Sequence, residues 1–166
     1  SVKPQDYGYR LADHVANVGA LVEHLGLKDV TLVVHDWGGA IGMGWATQNP
    51  SLVKRFVVFN TAAFLSERIP LSIDMCRVPG FGALAIRGLN AFARVALLRC
   101  VVRKELLTPE VKAGYLAPYD NWHNRVANLR FVQDIPMTED HPPHPTLKEV
   151  QDGLHQFAAH PMLIVW

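Results

Sequence analysis

Apolar residues between Tyr9 and Leu25 fall three or four apart, at Leu11, Val15, Val18, Leu21, Val22 and Leu25. That spacing predicts an amphipathic helix, closed by Gly26. The period then changes. Val30 to Val34 is an unbroken apolar or β-branched run, as in a strand buried on both faces of a parallel sheet. Asp36, Trp37, Gly38 and Gly39 interrupt the run, and Ala40 to Ala46 opens a helix of small residues. Asn49-Pro50-Ser51 ends that helix, and Val53 to Phe59 reads as a second buried strand. Ser1 to Gly8 is a polar leading loop. Helix, buried strand, helix and buried strand in alternation imply an α/β fold with a parallel sheet.

The pattern loses its strands between Phe64 and Pro145, where eight prolines punctuate helical periods. Val78 to Val102 is strongly apolar, but Arg87, Arg94 and Arg99 interrupt it and Pro79, Gly80 and Gly82 break its start. Those charges argue against a membrane span and for an inserted helical cap. Further helices are expected over Thr108 to Leu116 and from about Asn121 to Val132, and a Pro- and His-rich hinge over Thr138 to Thr146. Thr146 to Ala159 reads as a helix returning to the core, and Pro161 to Trp166 as a third buried strand. The expected organisation is a core over 1–63, a cap over 64–145 and a return segment over 146–166.

Composition narrows the function classes only a little. At 166 residues and net charge +1, with scattered Lys and Arg, there is no basic stripe to bind nucleic acid. Cys76 and Cys100 form no disulfide framework and read as reduced thiols of a cytoplasmic protein. The chain opens on Ser1 and stops on a hydrophobic strand. It therefore reads as a fragment of a longer protein, with sheet edges that would leave it poorly stable or prone to associate.

The candidate chemistry lies where the first strand meets the small-residue helix. Strand, tight turn and helix with one reactive side chain at the apex form a nucleophile elbow, in which only small residues fit after the apex. Gly38 and Gly39 supply them. The apex is Asp36, whose carboxylate can displace a leaving group from an sp³ carbon to form an alkyl ester that water then hydrolyses. The dipole of the following helix favours negative charge there. The alternative is that Asp36 simply caps that helix. Asn60 and Thr61 end the second strand, where ligands of open α/β sheets bind, although Asn60 also suits a loop residue bonding its own backbone. Trp122 reads either as a pocket residue or as a packed cap aromatic. His14 and His24 read as solvated helical residues. His141 and His144 lack partners for a metal site, so neither metal nor cofactor is expected.

Leu32-Val33-Val34-His35-Asp36-Trp37-Gly38-Gly39 resembles the elbow of haloalkane dehalogenases in the α/β-hydrolase superfamily. Epoxide hydrolases share His-Asp-Trp-Gly-Gly but usually carry Gly where this chain has Val34. Cap segments resemble a third dehalogenase subfamily: Asn60 to Phe64, Arg68-Ile69-Pro70, Arg87 to Asn90, Gly114 to Asp120 and Arg130 to Pro136. That subfamily includes the β-lactone decarboxylases of bacterial long-chain olefin biosynthesis. The resemblance implies a partial α/β-hydrolase fold with Asp36 as nucleophile. Trp37 would bind the departing halide through its indole N–H and supply a backbone oxyanion donor.

The same resemblance implies what is absent. Asn60 stands where one dehalogenase subfamily places its acid, so the acid is expected beyond Trp166, with the base His later still. The loop with the second oxyanion donor is expected before Ser1. The fragment alone is thus expected to turn over neither haloalkane nor β-lactone. Two other readings stand beside an Asp-nucleophile enzyme acting on small apolar haloalkanes or β-lactones. One is an epoxide hydrolase with Tyr115 and Tyr119 as proton donors; the other is a noncatalytic binding domain.

Overall fold

The computed structural model describes residues 2–166. Ser1, with which the expected leading loop begins, lies outside the described residues. The chain divides into two compact units, residues 10–67 with 136–166, and residues 1–9 with 68–135.

The first unit holds a parallel sheet of β1 (Val30–Asp36), β2 (Val53–Thr61) and β3 (Met162–Val165), in that order. Its helices are α1 (Leu11–Leu25), α2 (Gly38–Gln48) and α7 (His144–Gly153), the last running on into a 3₁₀ turn, Leu154–Phe157. α1 starts two residues after Tyr9, where the amphipathic stretch opens, because Tyr9 has φ +55° and cannot be helical. The Arg10 N–H donates to the Asp13 carboxylate at 3.1 Å, satisfying one donor of the first turn. At the other end Gly26, at φ +60°, lets its own N–H reach the Glu23 carbonyl and that of Leu27 the Val22 carbonyl. Gly26→Ala is expected to cost about 1 kcal/mol, the price of a Cβ in left-handed backbone, read as a lower denaturant midpoint at constant slope.

The expectation that β1 is buried on both faces is overturned, as is the reading of β3 as a buried strand. Leu32 and Val34 face α2, where a Cβ added to Gly42 would stand 2.7 Å from Val34 Cγ1. Phe56, their neighbour on β2, packs on Phe157 with ring centroids 4.8 Å apart. Side chains alternate along a strand, so Val33 joins Val57 and Leu163 in register on the opposite face. Val33 is 60 % exposed and Leu163 58 %. The described helices of this unit cover one face of the sheet only. β3 is exposed along its whole length, because it is the edge strand beyond β2 among the described residues.

The second unit is helical: α3 (Leu71–Arg77), a π-helical turn over Ala83–Gly88, α4 (Ala91–Arg99), α5 (Pro109–Leu116) and α6 (Val126–Gln133). Its core is small, Ile86, Leu129 and Val132 with Ile73, Cys76, Ala83 and Phe92 against them. The apolar run from Val78 is thus two short helical pieces, divided at Asn90. That residue is buried at φ +53°, with its amide donating to the Tyr119 carbonyl at 3.1 Å. α3 has no counterpart in the sequence reading, since seven residues barely complete two turns of a period.

Arg125 ties this unit together. Its guanidinium donates to the carbonyls of Tyr119 and Arg87 at 2.7 Å, of Gly88 at 2.9 Å and of Asp120 at 3.0 Å. Those oxygens end two helical turns and would otherwise lack acceptor partners. Arg125→Met keeps much of the stem and strands several carbonyls, so it should destabilise the unit by about 2–3 kcal/mol. Faster amide exchange confined to residues 68–135 would register the loss.

Candidate active site

A parallel strand can hand over to a helix within one residue only if the backbone reverses sharply. β1 ends at Asp36, α2 begins at Gly38, and Trp37 alone separates them. The reversal is made at Asp36, which has φ +50°. That left-handed conformation is sterically disfavoured for residues bearing a Cβ, least so for Asp and Asn, and costs on the order of 1 kcal/mol. The helix is established at once, with the Ile41 N–H on the Trp37 carbonyl at 3.0 Å.

β2 buttresses the junction. His35 pairs with Phe59 but Asp36 pairs with Thr61, so Asn60 is an extra residue in β2, a bulge with φ +22°. The bulge re-aims the strand so that the Thr61 hydroxyl donates to the Asp36 carbonyl. The same side chain presses on α2: a Cβ on Gly39 would lie 2.0 Å from Thr61 Oγ1 and 2.9 Å from the Ala62 carbonyl oxygen. Gly38 meets nothing within 4 Å. Of the two glycines expected to relieve crowding after the apex, only Gly39 does so, and the crowding comes from β2 and not from the apex. Thr61→Val should remove the hydroxyl donor and keep the shape, costing about 1 kcal/mol of stability in denaturant unfolding.

The Asp36 side chain is exposed and accepts no hydrogen bond from another described residue. The cap position of α2 belongs to Trp37, without a side-chain bond. The capping role considered for Asp36 is therefore not filled. Trp37 is half-buried, its ring packed on the core that includes Ala40 and Met43.

No described histidine reaches Asp36. His35 adjoins it but pairs with Phe59 on the opposite face of β1. His155 Nδ1 lies 2.6 Å from the Asp152 carbonyl, and His160 stands edge-on to Phe56 and Phe157. Among the described residues no group of three or more His, Cys, Asp and Glu is placed to hold a metal, and no helix is long and apolar enough to cross a membrane.

Of the remaining candidates, Thr61 lies against Asp36 and Asn60 beside it in the bulge. Trp122 belongs to the helical unit, where the Arg87 guanidinium stacks on its ring at 4.6 Å and donates to its carbonyl at 3.1 Å. Sequence reasoning placed Thr61 beside the pocket but missed its part as the strut of the elbow. A β-branched residue at a strand end, opposite a glycine one turn into the helix, was the available signal.

This strand–turn–helix geometry, with its left-handed acidic apex, coincides with a match to the alpha/beta hydrolase fold family over residues 1–83. The chain belongs to the alpha/beta hydrolase fold family. Within it, the chain is 38 % identical over its whole length to a cis-3-alkyl-4-alkyloxetan-2-one decarboxylase of Shewanella oneidensis, of which it covers 54 %. It is 40 % identical, again over its whole length, to the enzyme of the same name from Xanthomonas campestris pv. campestris, covering 58 %. Among solved hydrolase-fold structures, haloalkane dehalogenase DbeA from Bradyrhizobium elkani superposes with a TM-score of 0.83 at 26 % identity, covering 98 % of this chain and 57 % of that one. The chain thus spans about half the length of the relatives it matches.

Proposed function

We propose that Asp36 is the nucleophile of an enzyme that opens a bond at an sp³ carbon, acting on a β-lactone or a haloalkane. The observation that carries this reading is the left-handed Asp36 at the junction of β1 and α2, exposed and making no capping bond. A carboxylate that merely stabilised a helix would be turned into that helix's free N–H groups. Here strain is spent on presenting it outward, which is how an attacking group is displayed.

On a haloalkane, an Asp36 carboxylate oxygen attacks the carbon, the carbon–halogen bond breaks and halide departs, leaving an alkyl ester. The Trp37 indole N–H is the proposed halide donor, because it can donate and never accepts. On a β-lactone, the same oxygen attacks the ring sp³ carbon that bears the ring oxygen. That carbon–oxygen bond breaks and frees the lactone carboxylate. Loss of CO₂ then supplies the electron pair of the new C=C bond and expels Asp36. Two relatives at 38–40 % identity are named as oxetanone decarboxylases, which favours the lactone as substrate class. Asn60 and Thr61 would border the reacting carbon.

The test offers the full-length protein a cis-3,4-dialkyl β-lactone, a bromoalkane and an epoxide in parallel. Alkene from the lactone, formed faster than bromide is released from the bromoalkane, is the expected result. Diol from the epoxide alone would replace this reading with an epoxide hydrolase, and no product from any of the three would leave a binding domain.

A further inference from the structure

The apolar stretch around α4 has a charge bias that the chemistry at Asp36 does not use. From Met75 to Lys104 the chain carries five arginines, one lysine and no Asp or Glu. Arg94, Val95, Leu98 and Arg99 are all exposed, and their spacing puts them side by side on one face of α4. The row continues past the helix end into Val102 and Arg103. Leu98 is 68 % exposed and Val102 93 %. The opposite side of α4 carries Ala93, Ala96 and Leu97, all half-buried, and Phe92 in its first turn packs on the core of the helical unit.

Two of the four cations along this face, Arg94 and Arg99, are uncommitted among the described residues. Asp74 is taken by Arg77 at 3.1 Å and Glu105 by Arg103 at 3.0 Å. Lys104 donates to the Leu98 carbonyl at the end of α4. Arg94 and Arg99 have no carboxylate partner among the described residues. The face is a row of aliphatic side chains with arginines beside it.

We propose that this face of α4 docks on the surface of an anionic lipid bilayer. Leu98, Val95 and Val102 would sink to the level of the acyl boundary, while the arginines beside them hold lipid phosphates through paired N–H donors. Charge complementarity selects the partner. A patch of one sign with aliphatic side chains between the charges suits a plane of negative headgroups over hydrocarbon. Such a helix lies in the interface without crossing it, which agrees with the absence of a span-length helix among the described residues. The inference is independent of the reaction at Asp36.

Co-sedimentation of the protein with phosphatidylcholine vesicles, and with vesicles also holding phosphatidylglycerol, tests it. Binding to the anionic vesicles alone is expected, falling as salt is raised. Arg94→Gln with Arg99→Gln should cut partitioning about 25-fold, at about fivefold for each arginine, while both lysine replacements retain most of it. Neither arginine holds a partner among the described residues, so thermal unfolding of these variants should match the parent. Equal binding to neutral and anionic vesicles, binding to neither, or an unchanged glutamine variant would overturn the proposal. Self-association in lipid-free buffer that the glutamine pair abolishes would assign the face to a second copy, and would overturn it too.

Discussion

Asp36→Asn should remove product formation by the full-length protein, lowering kcat by roughly 10⁴-fold or more. Asparagine is the informative replacement. It has nearly the shape of aspartate and tolerates left-handed backbone about as well, so φ +50° at the apex need not change. An amide, however, is a far poorer nucleophile than a carboxylate. A merely structural Asp36 would give the opposite pattern, with activity near the parent's and any loss confined to stability. Matching unfolding curves beside a kinetic collapse separate the two.

Gly39→Ala should be the most destabilising single methyl in the elbow, at roughly 3–5 kcal/mol. The new carbon would stand 2.0 Å from Thr61 Oγ1 and 2.9 Å from the Ala62 carbonyl oxygen. The second of these is backbone, which cannot swing aside as a long side chain would. Relief requires β2 and α2 to separate, and that breaks the Thr61 hydroxyl's bond to the Asp36 carbonyl. Gly38→Ala is the matched control. It sits in helix with open space around its missing Cβ, so it should be neutral or stabilise by about 0.5–1 kcal/mol. Equal effects at the two positions, read from denaturant midpoints, would contradict the buttressed elbow.

The elbow was legible because its signals are local. A strand run, an acidic apex and small residues lie within a dozen positions, and each constrains the backbone directly. α1 was legible for the same reason, down to its closing glycine; only its start slipped, at the left-handed Tyr9. Strand burial was not legible. An apolar run says that a side chain can be covered, whereas Val33 and Leu163 depend on what lies across the sheet. The Asn60 bulge was hidden as well, because it is a matter of register between β1 and β2 and leaves no mark in either strand alone. In the helical unit, α3 and the π turn are too short for periodicity to resolve, and two of Arg125's four carbonyl partners, Arg87 and Gly88, come from a turn distant in sequence.

The arrangement around Asp36 also says what the described residues do not do. No described histidine is bonded to the carboxylate or placed to activate water against an ester formed on it. With a haloalkane, then, alkylation should run ahead of hydrolysis in this 166-residue chain, and the ester should accumulate to one equivalent without turnover.

Mass spectrometry of the chain after exposure to a bromoalkane tests the central claim most directly. The account predicts one alkyl group per chain, carried by the peptide that contains Asp36, together with one equivalent of released bromide and no adduct on the Asp36→Asn variant. An unmodified Asp36 peptide, or alkylation that persists unchanged in that variant, would contradict it.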